Sequence, residues 1–173
     1  KKSSIFICKM MKNDYCIFIM TYGRPDNVVT YKTLKKIKGD MSNVYLVCSI
    51  DDKKINDYKE KFKDKVKTFD KDDYKKNFDL ADNFGKEKDG VIIFARNACY
   101  DIAKELGYRY FIEFDDDYSH FSFKFDEVGY RETIIKKDFC KVLKSMLDYY
   151  KSIPNCKIIS LSQNGDFIGG KDS

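Results

Sequence analysis

Three short runs rich in aromatic and β-branched residues, 15–20 (Y-C-I-F-I-M), 44–50 (V-Y-L-V-C-S-I) and 108–114 (Y-R-Y-F-I-E-F), each stop abruptly at polar residues. Runs of this kind form strands covered on both faces. Helical periodicity fills the intervals. After the first run Val28, Tyr31, Leu34 and Ile37 recur about every three residues until Gly39, behind a candidate helix cap at Asp26; glycine closes helices in this way. After the second, Ile55, Tyr58 and Phe62 mark a charged surface helix, and residues 66–69 a further strand. Strand and helix signals in alternation predict an α/β fold, a mostly parallel sheet flanked by helices and joined by right-handed crossovers.

The remainder of the chain refines that expectation. Residues 70–89 are dense in Lys and Asp with few apolar anchors, so they read as a long loop with a helical turn, and loops of that length carry function. Residues 91–106 read as a helix with Val91, Ala95, Ala98, Ile102 and Leu106 on one face, closed by Gly107. Phe121, Phe123 and Phe125 alternate with polar residues and residues 130–135 do so more loosely, which predicts a small antiparallel pair. Phe139, Val142, Leu143, Met146, Leu147 and Tyr150 then mark a strongly amphipathic helix, and residues 156–161 read as one more strand.

A chain of 173 residues suffices for one domain with a sizeable core. Its 43% hydrophobic and 16% aromatic content indicate a globular protein, and the net charge of +5 is mixed along the sequence rather than segregated. Six widely spaced cysteines without a C-x-x-C pair read as buried free thiols, and a single histidine, His120, argues against a zinc site. No apolar run approaches the ~20 residues of a membrane span, and the N-terminal K-K-S-S-I-F-I-C-K-M-M lacks a signal-peptide core. These features predict a cytoplasmic protein without membrane contact, in the host cytoplasm if the source is viral. The end just after Gly169-Gly170 is the expected mark of a trimmed domain.

The strand at 108–114 ends in Asp115, Asp116 and Asp117. Three adjacent carboxylates repel one another, at a cost on the order of kilocalories per mole at reduced dielectric. Solvent, protonation, basic neighbours or a divalent cation must offset it. An acidic turn in water is the plainest account of an Asp-rich loop, but in open α/β sheets ligands bind at the carboxyl ends of the strands. Extended geometry sends Asp115 and Asp117 to one side and Asp116 to the other. Two hard oxygen ligands on one side suit Mg²⁺ or Mn²⁺.

The first strand and loop (I-F-I-M-T-Y-G-R-P), the second strand ending in Asp51-Asp52, A-R-N at 95–97 and F-D-D-D-Y together resemble the nucleotide-sugar glycosyltransferases of the GT-A fold, family 2 in particular. The likeness covers residues 15–118, the nucleotide-sugar half of a single domain over 1–173, with 119–173 as the acceptor half. It implies nucleoside contacts for Thr21, Tyr22, Arg24 and Asp51 or Asp52, and places Arg96 near the donor. It also implies that Asp115 and Asp117 bind the diphosphate of a UDP-sugar through Mn²⁺ or Mg²⁺; Asp115 with Asp116, or Asp116 with Asp117, stay open as other registers. Gly23 departs from the pattern, where an Asn is common. Such an enzyme, of the hexosyltransferase type, needs a carboxylate base if it inverts the anomeric centre; the candidates are Asp126, Glu127 and Asp166.

F-D-D-D-Y followed by S-H-F-S-F-K-F is also similar to bacteriophage glycosyltransferases that decorate hydroxymethylated bases in DNA. That likeness implies a DNA acceptor met by phosphate contacts, with Phe121, Phe123, Tyr130 and Arg131 to stack on it or steer it. Two other functions compete. A phosphohydrolase resembling the haloacid dehalogenases would use Asp115 as nucleophile and Asp117 as acid/base, although that family carries its D-x-D after the first strand. A non-catalytic nucleic-acid-binding module would have no use for the triplet.

Overall fold

A computed structural model describes residues 14–76, 92–126 and 129–162, without the side chains of residues 125, 126 and 129–131. The chain forms an α/β fold. Strands β1 (Tyr15–Met20), β2 (Val44–Ser49), β3 (Val66–Phe69) and β4 (Tyr110–Asp115) make a parallel sheet in the order β3-β2-β1-β4. Every residue of β1 is buried, as its uninterrupted apolar run requires of the strand between two others. Register places Met20 opposite Val47 on one side and Asp115 on the other. The loop after β1 therefore lies level with the end of the acidic strand.

Helices cover both faces. On one, α1 (Val29–Ile37), α2 (Ile55–Phe62) and α5 (Phe139–Ser152) bury Leu34, Ile37, Tyr58, Phe139, Leu143 and Leu147 against Ile17, Ile19 and Leu46. On the other, α4 (Ile93–Glu105) buries Phe94, Ala98, Cys99, Ile102 and Ala103 against Cys16, Phe18 and Val47. The buried stripe of α4 thus runs through Ala98 and Ile102 as its periodicity predicts, with Phe94 as its anchor at the N-terminal end. Between β3 and α4 the expected helical turn is α3 (Lys71–Lys75), capped by Asp70, whose side chain accepts from the Asp72 N–H. Among the described residues no helix is long and apolar enough to cross a membrane.

The antiparallel pair exists as β5 (Ser122–Asp126) with β6 (Gly129–Ile134), and the pairing is irregular between Phe123 and Phe125. Phe121 is half-buried. Its ring packs 4.5 Å from Phe139 and 5.1 Å from Phe114, whereas Phe123 is exposed.

Two expectations fail. Residues 156–161 form no strand: α5 ends, Asn155 takes a left-handed turn at φ 60°, and Ile158 is left 83% exposed. High β propensity describes a chain that has a neighbour to pair with; here the backbone bonds are local, Cys156 N–H to the Ile153 carbonyl at 3.3 Å and the Tyr150 hydroxyl to the Lys157 carbonyl at 3.1 Å. The cysteines are not uniformly free either. Cys16, Cys48, Cys99 and Cys156 are thiols, but Cys140 is disulfide-bonded. Wide spacing in sequence does not prevent two cysteines from meeting in space.

Candidate active site

The carboxyl ends of β1, β2 and β4 converge, and the acidic triplet lies at the end of β4. Alternation separates its members. Asp116 turns inward and is 3% exposed. Its Oδ2 accepts from the Thr21 hydroxyl at 2.6 Å and from Arg24 Nε at 2.8 Å, while Oδ1 meets Arg24 Nη2 at 2.7 Å. That is the two-pronged guanidinium–carboxylate pairing that makes a strong charge-assisted contact. Asp115 turns the other way, with Arg96 Nη2 at 3.0 Å from Oδ1 and the Tyr118 hydroxyl at 3.2 Å from Oδ2. Asp117 is exposed.

The turn carrying these aspartates is held from behind by Thr30. This buried residue of α1 donates its hydroxyl to the Asp115 carbonyl at 2.5 Å and its N–H to the Asp116 carbonyl at 3.0 Å. It also accepts the Tyr118 N–H at 2.8 Å. Sequence reading passed over Thr30. The available signal was a hydroxyl residue four positions before Leu34 on the core-facing stripe of α1, because a buried hydroxyl needs partners.

The loop after β1 is tied down at Thr21, Gly23 and Arg24. Asp52, 2% exposed, accepts the Gly23 N–H at 2.7 Å and the Lys54 N–H at 2.8 Å. Tyr58, fully buried, places its hydroxyl 2.8 Å from Thr21 Oγ1 and accepts the Arg24 N–H at 2.9 Å. Gly23 sits at φ 73°. Glycine takes that conformation freely and asparagine better than most residues, which gives a backbone reason for either to occupy the position. Of the loop residues, Tyr22 is exposed, Arg24 is half-exposed with its guanidinium turned onto Asp116, and Thr21 is buried. Asp51, beside the buried Asp52, is exposed and pairs with Lys71 at 2.9 Å, and the Lys71 ammonium lies 4.9 Å from the Tyr22 ring centre.

Arg96, in the first turns of α4, divides its guanidinium between Asp115 and Glu113, the latter at 3.3 Å. Burial pushes the Glu113 carboxyl above its usual range, against the opposing pull of Arg96. Beside these residues an open groove of about 1420 Å³ runs along the outer side of β4, with Arg96, Asn97, Asp117, Tyr118 and His120 among its lining. Of the three candidate bases, Asp126 ends β5 and its side chain falls outside the described part; Glu127 and Asp166 lie outside the described residues altogether.

The site therefore gathers Thr21, Tyr22, Arg24, Asp51, Asp52, Arg96 and the triplet at one end of the sheet. Among the described residues no three His, Cys, Asp or Glu side chains cluster around a common point. A cation held here would take at most two carboxylates from this part of the chain. That donor set fits Mg²⁺ or Mn²⁺, which complete their shells with phosphate oxygens and water.

A family model described as TET-associated glycosyltransferase matches residues 15–173. No curated protein matches the chain. No solved structure matches it either.

Proposed function

The chain belongs to the TET-associated glycosyltransferase family, and from that premise we propose that it moves a sugar from a nucleotide-sugar donor, with a UDP-sugar as the first choice, to a hydroxyl on a hydroxymethylated base in DNA. One observation supports the donor side above all. Asp116 is buried against Thr21 and Arg24, so Asp115 and Asp117 are the pair left to hold Mn²⁺ or Mg²⁺. When bound, the cation would neutralise charge developing on the departing diphosphate. Tyr22, Arg24 and Asp51 would meet the nucleoside at the outward side of the first loop. Asp52 would act by shaping that loop, and Arg96 would add positive charge beside the phosphates. The base that takes the acceptor proton would be one of Asp126, Glu127 and Asp166.

The DNA acceptor has two supports. Net charge of +5 suits a polyanion, and the family's name ties these glycosyltransferases to TET. Calorimetry tests the donor reading: UDP-sugar binding should need Mn²⁺ or Mg²⁺ and vanish in Asp117→Asn, and equal binding without metal would overturn it. For the acceptor, labelled sugar should enter DNA containing hydroxymethylated bases and not the unmodified sequence. Labelling of both to the same extent, or of neither, refutes that acceptor.

A further inference from the structure

We propose that Tyr58 is a positioning residue of the donor site: its hydroxyl fixes the loop from Thr21 to Arg24 in the shape that receives the nucleotide sugar. The inference rests on the donor reading above and adds a residue one helix removed from it. Tyr58 sits on α2 with its ring wholly inside the core, stacked 6.4 Å from Phe62. A phenylalanine would fill the same space. The hydroxyl therefore needs its own explanation, since a polar group taken out of water is costly unless partnered.

Both partners belong to the loop. The Tyr58 oxygen lies 2.8 Å from Thr21 Oγ1 and 2.9 Å from the Arg24 nitrogen, bracketing the loop at its two ends. Asp52 holds the Gly23 N–H between them, and Asp116 holds the Thr21 and Arg24 side chains from the opposite side. With those atoms fixed, the Tyr22 ring, 54% exposed, and the outer part of Arg24 are what the loop presents. A loop ordered before its ligand arrives gives up less entropy on binding.

Tyr58→Phe keeps the ring and deletes the hydroxyl. Ile37→Val, a trimming in the same core that leaves the loop alone, serves as the stability control. The donor's KM in Tyr58→Phe is expected to rise about three- to tenfold with kcat nearly unchanged, the scale of one net hydrogen bond. Ile37→Val should keep the wild-type KM at a comparable melting temperature. Hydrogen exchange supplies a readout without donor: the Arg24 amide should be protected in the wild type and exchange faster in Tyr58→Phe. Wild-type KM together with unchanged Arg24 exchange in Tyr58→Phe overturns the proposal, as does an equal KM rise in the control. If the wild type binds no nucleotide sugar, the donor reading fails and Arg24 exchange alone decides the clamp. If Tyr58→Phe does not fold, an unprotected Arg24 amide in the wild type refutes it.

Discussion

Arg24 and Asp116, 92 residues apart in sequence, form a two-pronged ion pair at 2.7 and 2.8 Å that locks the loop after the first strand onto the end of the fourth. The middle aspartate of the triplet is thereby spent on architecture. Of its neighbours, Asp117 is exposed and Asp115 is half-buried against Arg96 and Tyr118.

This division makes Asp116 and Asp117 separable by mutation. Asp116→Asn removes a buried charge that Arg24 and Thr21 both use, and should cost about 1–3 kcal/mol, lowering the melting temperature by roughly 2–4 °C per kcal/mol. Asp117→Asn, at an exposed position, should leave the melting temperature of the free protein within about 1 °C, the usual small effect of a surface substitution, and abolish metal-dependent donor binding. Thermal unfolding with and without UDP-sugar and Mn²⁺ distinguishes the two; an unchanged melting temperature for Asp116→Asn contradicts the architectural assignment.

Thr30→Val keeps the shape and deletes the hydroxyl that holds the Asp115 carbonyl and the Tyr118 N–H. Leaving those groups unsatisfied should cost about 1–3 kcal/mol and weaken donor binding as the turn loosens. Thr30→Ser should restore most of both. Urea unfolding beside donor titration reads the two effects, and no rescue by serine would remove the hydroxyl from the account.

Glu113 should make stability fall as pH rises. Burial raises its folded pKa despite Arg96, so the folded state holds the proton more tightly than the unfolded one. The resulting stabilisation is full below the unfolded value of about 4.3, and is lost as pH climbs through the raised folded value. Glu113→Gln should flatten that part of the profile. Melting temperatures across the acid-to-neutral range test it, and identical slopes in both proteins would falsify the assignment.

Gly23→Ala should strain the loop by about 1–2 kcal/mol, since φ is 73° while the space for a methyl is open. Gly23→Asn should lose less. Comparing their melting temperatures and donor affinities decides whether conformation rather than room constrains the site.

Much of the fold was legible because its strands are continuous apolar runs. Residues 15–20 and 66–69 become strands at the expected bounds, and residues 44–50 do so one position short, at Ser49. Periodicity likewise located α4 and α5. It misled at 156–161, where propensity was present and a neighbouring strand was not. In the site, alternation anticipated that Asp115 and Asp116 part to different partners, but nothing local disclosed that Arg24 waits for Asp116. The partners of Thr30 and Tyr58 were hidden for the same reason: their polar atoms answer to groups far along the chain.

The stitching by Thr30 also bears on how the protein comes to be folded. Its hydroxyl bonds span 85 and 88 residues of sequence, so the turn bearing the triplet has no local nucleus of its own. It must wait until β4 docks beside β1, closing a loop that contains α1, β2, α2, β3, α3 and α4. Long-range closure of that kind is slow, and intermediates that have formed the earlier strands alone would present an open edge along β1 to other chains. Competence for chemistry in this protein should therefore arrive among the last events of folding.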